Sequence, residues 1–234
     1  MSHLGRMGWL VCLALIVPTV GSWANTPFPP NQEKTLGTTL PEVHFTDDSG
    51  KAFLLSELRG KPLFLNPVFA SCKHTCSPII QNLKKALPPG AKLGVDYNLL
   101  TFSFDPQDDV ARMKMLRDQH GLAEQWRLAV GDKDEVRRLL EALDFRYMTL
   151  AEDGFAHSNF VVAADSQQKI RFYLLGVAQD PSMVLRALEM AQGRGQWKER
   201  LRIILFFFSL AGLLASSWFI MHLRARTQAK RLAV

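Results

Sequence analysis

The chain has 234 residues, 47% of them hydrophobic, and a formal charge of +6. That length suffices for one well-buried domain with extra segments, and two apolar stretches near the ends inflate the hydrophobic fraction. The basic residues are scattered (Lys84, Lys85 and Lys92, then residues 194–202 and 224–231 around an apolar run) rather than gathered into one stripe interleaved with aromatics, which argues against a nucleic-acid binder.

The N-terminus has the three parts of a secretory signal over residues 1–24. Arg6 supplies charge, residues 10–17 the apolar core, and Ser22-Trp23-Ala24 has small residues at the first and third positions before a cut. Cleavage after Ala24 removes Cys12 and leaves Cys72 and Cys76 as the only thiols; an uncleaved anchor is the competing reading, with a core short for a span. A lipoprotein signal would need a small residue before Cys12, where Val11 stands. Residues 25–40, with Pro27, Pro29 and Pro30, read as an extended linker without a core of its own.

The soluble part, residues 41–195, reads as alternating elements. Residues 43–46 make a short strand, Asp48-Ser49-Gly50 turns into Phe53-Leu54-Leu55, and residues 56–59 form a helical turn closed by Gly60. Residues 61–69 are a buried strand by their apolar run. A helix follows from Cys76, with Pro78 in its first turn, where proline is tolerated, and ends before Pro88-Pro89-Gly90. Residues 96–104 are a second apolar strand, and Asp105-Pro106 starts a helix running to about Gln119. A strand over 126–130 precedes an amphipathic helix over 132–143 with Val136, Leu139, Leu140 and Leu143 on one side. Strands follow at 145–150, 159–164 and 170–175, the last two joined by a polar turn, and a helix over 181–191 closes the domain. Strands interleaved with helices predict an α/β fold with a mixed central sheet.

Residues 203–223 run without an acid or base except His222 at the edge, long enough to cross a hydrocarbon core of roughly 30 Å. Trp197 and Trp218 fit interfacial anchors, and apolar residues occupy every face, unlike a buried helix. Both flanks are basic, so the signal orients the span. The expectation is a single-pass membrane protein with its soluble domain on the extracytoplasmic (periplasmic) side and residues 224–234 in the cytoplasm.

The chemistry centres on residues 66–80, which set Cys72 and Cys76 four apart where an apolar strand meets a helix. Free backbone N–H groups and the positive end of the helix dipole favour thiolate there, and Lys73 adds to that. Positions i and i+4 share a helical face, so both sulfurs can meet one ion or each other. A structural disulfide over so short a loop would be a poor staple, because it removes little unfolded-chain entropy. A redox or metal-binding pair is the better reading. Two thiolates and one imidazole suit a soft cation: copper(I) fits best, and zinc would need a fourth ligand.

The candidate imidazole is His157, in a loop over residues 153–160, and spacing alone leaves it open against a solvated surface histidine. His74, between the cysteines, could also coordinate. His120 reads as a C-terminal helix-dipole partner, His44 has no evident partner, and Asp105, Asp108 and Asp109 read as helix capping.

Taken in order, three blocks resemble the Sco/SenC family over residues 36–192: the strand followed by C-x-x-x-C at 66–77, TFSFDPQDD at 101–109, and His157-Ser158 followed by an apolar strand ending at Asp165. The resemblance implies a thioredoxin-like fold tethered to a membrane, copper as the bound ion, and Cys72, Cys76 and His157 as its ligands. It further implies delivery of copper to a respiratory oxidase subunit carrying a copper centre, with a thiol reductant as a second partner. Family members usually have Pro and an acidic residue after the first cysteine and Pro after the second; here Lys73, His74 and Ser77 stand there. They are also more often anchored at the N-terminus. The second expectation is a thiol–disulfide oxidoreductase acting on exported or membrane protein cysteines, with Cys72 attacking and Cys76 resolving. A peroxidase of the same fold is a distant third, since nothing marks a peroxide site.

Overall fold

The alternation of apolar runs and capped helices folds as expected between residues 28 and 194. In a computed structural model, residues 28–72, 74–150, 154–194 and 201–218 are described. The signal over 1–24, Lys73 and the tail over 224–234 lie outside the described residues.

In chain order the first elements are α1 (Gln32–Thr35), β1 (His44–Asp47), β2 (Ala52–Leu54), a 3-10 turn (Leu55–Leu58), β3 (Leu63–Val68) and α2 (Cys76–Ala86). Then come β4 (Asn98–Ser103), α3 (Val110–His120), β5 (Trp126–Gly131) and α4 (Lys133–Ala142). The chain continues through β6 (Tyr147–Leu150), β7 (Gly154–His157), β8 (Phe160–Ala164), β9 (Ile170–Leu175) and α5 (Pro181–Ala191). Side-chain caps fix the helix starts: Asp109 accepts from Arg112 N, Asp132 from Asp134 N and Glu135 N, and Asp180 from Ser182 N. Gly121, in the left-handed region at φ 54°, closes α3.

Seven strands form one mixed sheet in the order β2-β1-β5-β4-β3-β8-β9. β3 and β5 flank β4 in parallel, while β8 runs antiparallel to β3. All residues of β3 and β8 are buried, the pattern of strands covered on both faces. β3 therefore lies where its two neighbours run in opposite senses, and the segment leaving its C-terminal end carries the cysteines. In open α/β sheets such an end is where binding sites form. α2 packs against both α3 and α5, which fixes the helix that begins at Cys76. This is the α/β fold with a mixed central sheet that the alternating elements predict, and the thioredoxin-like architecture that the family resemblance implies.

Four local expectations change. The stretch expected as an extended linker contributes α1 from residue 32, and Thr35 and Leu40 are buried against the domain. α3 begins at Val110 rather than Asp105, because Asp105 closes its own turn by accepting from Gln107 N and Asp109 provides the cap. The strand expected at 145–150 is β6, and it leaves the main sheet to pair with β7 in a separate hairpin. His157 thus ends a strand instead of sitting in a loop.

A further helix, α6 (Leu201–Trp218), has a mean hydropathy of 1.8 with none of that window buried. By length and composition it is long and apolar enough to cross a membrane.

Candidate metal centre

Where β3 ends, the chain turns back on itself, with Cys72 N donating to Phe69 O at 3.2 Å. Asp108 braces this turn from the other side of the parallel pair. Its Oδ2 accepts from Ala70 N at 2.7 Å and from the Ser103 hydroxyl at the end of β4, and its Oδ1 meets Arg112 at 3.4 Å. Cys76 opens α2 with its sulfur buried, and its N–H donates to Cys72 Sγ at 3.4 Å. Cys72 is only partly buried, and both thiols are free.

His157 reaches the pair from the hairpin. Its Nδ1–H donates to Ser158 O at 2.8 Å, which leaves Nε2 with an open lone pair in the neutral ring. Nε2 lies 3.9 Å from Cys76 Sγ and 3.2 Å from Thr75 Oγ1. Phe145 stacks on the imidazole at 5.8 Å between ring centroids, while Phe69 and Phe104 meet it at 5.8 and 5.5 Å. Three phenylalanines so close to one ring keep water from its sides and fix its orientation. Ser158 is held in turn: its hydroxyl donates to Phe28 O at 2.7 Å and accepts from Arg146 N at 3.1 Å.

Cys72 Sγ, Cys76 Sγ and His157 therefore offer ligand atoms that all lie within 4.8 Å of one another. Ligand atoms about 2.0–2.3 Å from a common ion would sit roughly 3.5–4 Å apart in a trigonal plane, so the three need only a small approach. Two sulfurs and one nitrogen form a soft donor set suited to copper(I), and three donors leave zinc one short of its tetrahedral complement.

The electrostatics of the pair are asymmetric. The Cys76 thiol donates to the Cys72 sulfur and, against the opposing effect of burial, brings the Cys72 pKa down to about 3; His157 and the N–H groups of Cys76 and His74 add to the shift. Cys76 is pushed well above the usual thiol range by that neighbouring sulfur, by burial and by Asp108. One proton is shared: Cys72 is the thiolate and Cys76 the thiol that steadies it.

The remaining candidates fall elsewhere. His74 is exposed and does not join the converging group among the described residues. His120 is buried and lies between Ser77 Oγ at 3.2 Å and Gln81 Nε2 at 2.9 Å. Burial, then Lys84, holds its pKa low, so it is a neutral packing residue and not the cationic dipole partner expected. His44 does have a partner, Glu135, at 3.0 Å. Of the three aspartates, Asp109 is a helix cap as expected, Asp105 closes a turn and Asp108 is the brace just described. Thr75 and the phenylalanine shell carried no sequence signal beyond proximity to Cys76 and to apolar strand ends.

The SCO1/SenC family profile matches residues 32–192. No curated protein sequence matches the chain. Among solved structures, a protein of Aquifex aeolicus VF5 is 33% identical, with 68% of this chain and 96% of that one covered at a TM-score of 0.66. ScoI of Bradyrhizobium japonicum, solved with copper bound, is 19% identical over 65% of this chain and 98% of that one, at a TM-score of 0.53. BsSco, a member of the Sco family of cytochrome c oxidase assembly proteins in which a disulfide switch was identified, is 17% identical over 67% and 95%, at 0.55. The last two share the fold.

Proposed function

The chain belongs to the SCO1/SenC family, and from that premise we propose that it is a membrane-tethered copper carrier. Cys72, Cys76 and His157 hold copper(I) as cargo and pass it to the copper centre of a respiratory oxidase subunit during assembly. The observation that carries this reading is the convergence of the three ligand atoms within 4.8 Å, with His157 turned so that Nε2 faces the sulfurs. The partly exposed Cys72 supports transfer by ligand exchange, because an incoming thiolate or imidazole can reach the ion on that side while Cys76 and His157 still hold it. α6 supplies a tether by its length and apolarity, and the expected signal would put the domain on the extracytoplasmic side. A thiol reductant is then needed, since copper loading requires both cysteines reduced.

A second reading has an observation of its own. A thiolate at Cys72 beside a buried, protonated Cys76 is the division of labour of a dithiol oxidoreductase. Cys72 would attack one sulfur of a substrate disulfide, expelling the other as thiolate. Cys76, losing its proton, would then attack Cys72 Sγ, so the pair is oxidised as the substrate is reduced.

Titrating the reduced full chain in detergent with copper(I) against a competing chelator tests the first reading. One equivalent bound, and lost in Cys72→Ser, is expected; no binding above the chelator's background defeats it. His157→Ala separates the two readings, since copper affinity should collapse while disulfide exchange survives.

A further inference from the structure

Thr75 is the N-cap residue of α2, yet its side chain makes no capping hydrogen bond. An N-cap threonine normally gives its oxygen to the N–H at the second or third helical position, and forgoing that costs stability. Pro78 occupies the third position here and has no N–H to offer. The N–H of Cys76 is taken by Cys72 Sγ at 3.4 Å. The Thr75 hydroxyl turns away from its helix to His157 Nε2, at 3.2 Å. Because Nδ1–H is committed to Ser158 O at 2.8 Å, Nε2 can only accept in the neutral ring, and the hydroxyl must be the donor.

We propose that Thr75 is an affinity-setting residue that competes with the metal for His157 Nε2. This inference rests on the assignment of Cys72, Cys76 and His157 as copper ligands. One lone pair cannot serve both a hydroxyl proton and a copper ion. Loading breaks the Thr75 O–H···Nε2 hydrogen bond and the Cys76 S–H bond, passes that thiol proton to solvent, and forms copper–nitrogen and copper–sulfur bonds; release reverses each of these. No electron changes hands, and the hydroxyl keeps its proton throughout. The hydrogen bond therefore stabilises the empty site, weakening retention and giving the imidazole an immediate substitute partner when the ion departs. A carrier that must surrender its cargo gains by this, because the third ligand can detach without leaving a buried polar atom unpaired. The two sulfurs, already in contact through the shared proton, need no such substitute.

The test compares Thr75→Val and Thr75→Ser in the reduced full chain, each also combined with His157→Ala. Val keeps the β-branched shape and removes the donor; Ser keeps the donor. A hydrogen bond of roughly 1 kcal/mol predicts copper(I) held about fivefold more tightly by Thr75→Val, measured by chelator competition, with a correspondingly slower release. Thr75→Ser should match the parent. In the His157→Ala background, Thr75→Val should change nothing, an outcome that a merely structural role for Thr75 would not produce. Affinity unchanged or weakened in Thr75→Val, or an equal gain with and without His157, overturns the inference while leaving the ligand assignment intact. Copper affinity indifferent to His157→Ala overturns both.

Discussion

The Nδ1–H of His157 donates to the carbonyl oxygen of Ser158 at 2.8 Å, and that single bond decides what the ring can offer its neighbours. It fixes the tautomer of the neutral imidazole and aims Nε2 at the sulfurs, the part an outer-shell partner plays toward a metal-ligating histidine.

Ser158 owes its position to the segment before the domain. Phe28 O accepts its hydroxyl at 2.7 Å, Pro29 O accepts from Arg146 at 2.6 Å, and Asn31 N donates to Asp144 at 2.6 Å. Deleting residues 1–31 removes these bonds and should lower stability by about 2 kcal/mol. Copper should be held several-fold less tightly, and amides 156–158 should exchange faster with deuterium, read by mass spectrometry. Unchanged exchange at those amides would mean that the segment does not hold the histidine.

The shared proton gives the two thiols different reactivities. With the Cys72 pKa at about 3, its thiolate persists throughout mildly acidic solution, while Cys76, pushed upward, stays a thiol. Iodoacetamide at about pH 6 should therefore label Cys72 and spare Cys76 in the reduced, copper-free chain, with a rate nearly level down to about pH 5. Cys76→Ala removes the donor that lowers the Cys72 pKa most, so labelling should slow and acquire a rise with pH. Peptide mass spectrometry after timed quenching reads both. Equal labelling of the two cysteines would contradict the asymmetry.

Asp108 joins the ends of β3 and β4 just before the first cysteine, through Ala70 N at 2.7 Å and the Ser103 hydroxyl. Asp108→Ala leaves the part-buried Ala70 N–H and the buried Ser103 hydroxyl without their partner and should cost roughly 2–4 kcal/mol, measured by urea denaturation. Copper binding should weaken as well, because the turn carrying Cys72 loses its brace. Asp108→Asn keeps an acceptor oxygen and should recover part of both losses. A stability unchanged in Asp108→Ala would remove the brace from the account.

Much of this was legible in the residues. Apolar runs at β3, β4 and β8 announced buried strands, Pro78 marked the first turn of α2, and Asp109 was legible as a cap, because burial and local hydrogen bonding leave direct traces in composition. The cysteine pair was legible from its spacing, but the shared helical face expected for it does not form. α2 begins at Cys76, Cys72 lies in the turn before it, and the two meet through that turn, where Cys76 N donates to Cys72 Sγ at 3.4 Å. His157 was not legible from spacing, since contact with Cys76 spans 81 positions and depends on a hairpin that leaves the main sheet. The residues offered it as a candidate that spacing left open, and the resemblance to a family favoured it. His120 was misread because a helix C-terminus usually faces water, whereas α3 buries its last residue against Ser77 and Gln81 of α2. Asp108 looked like a cap because it adjoins one, Asp109; its own bonds run to β3 and β4, a tertiary choice that the local sequence does not encode.

The central claim is that two sulfurs and one imidazole nitrogen converge on a single copper ion. X-ray absorption at the copper edge of the copper(I)-loaded full chain measures that directly. The account predicts two sulfur scatterers and one imidazole nitrogen in the first shell, with the nitrogen and its outer-ring scattering lost in His157→Ala. A first shell of sulfur alone, or one unaltered by His157→Ala, would contradict it.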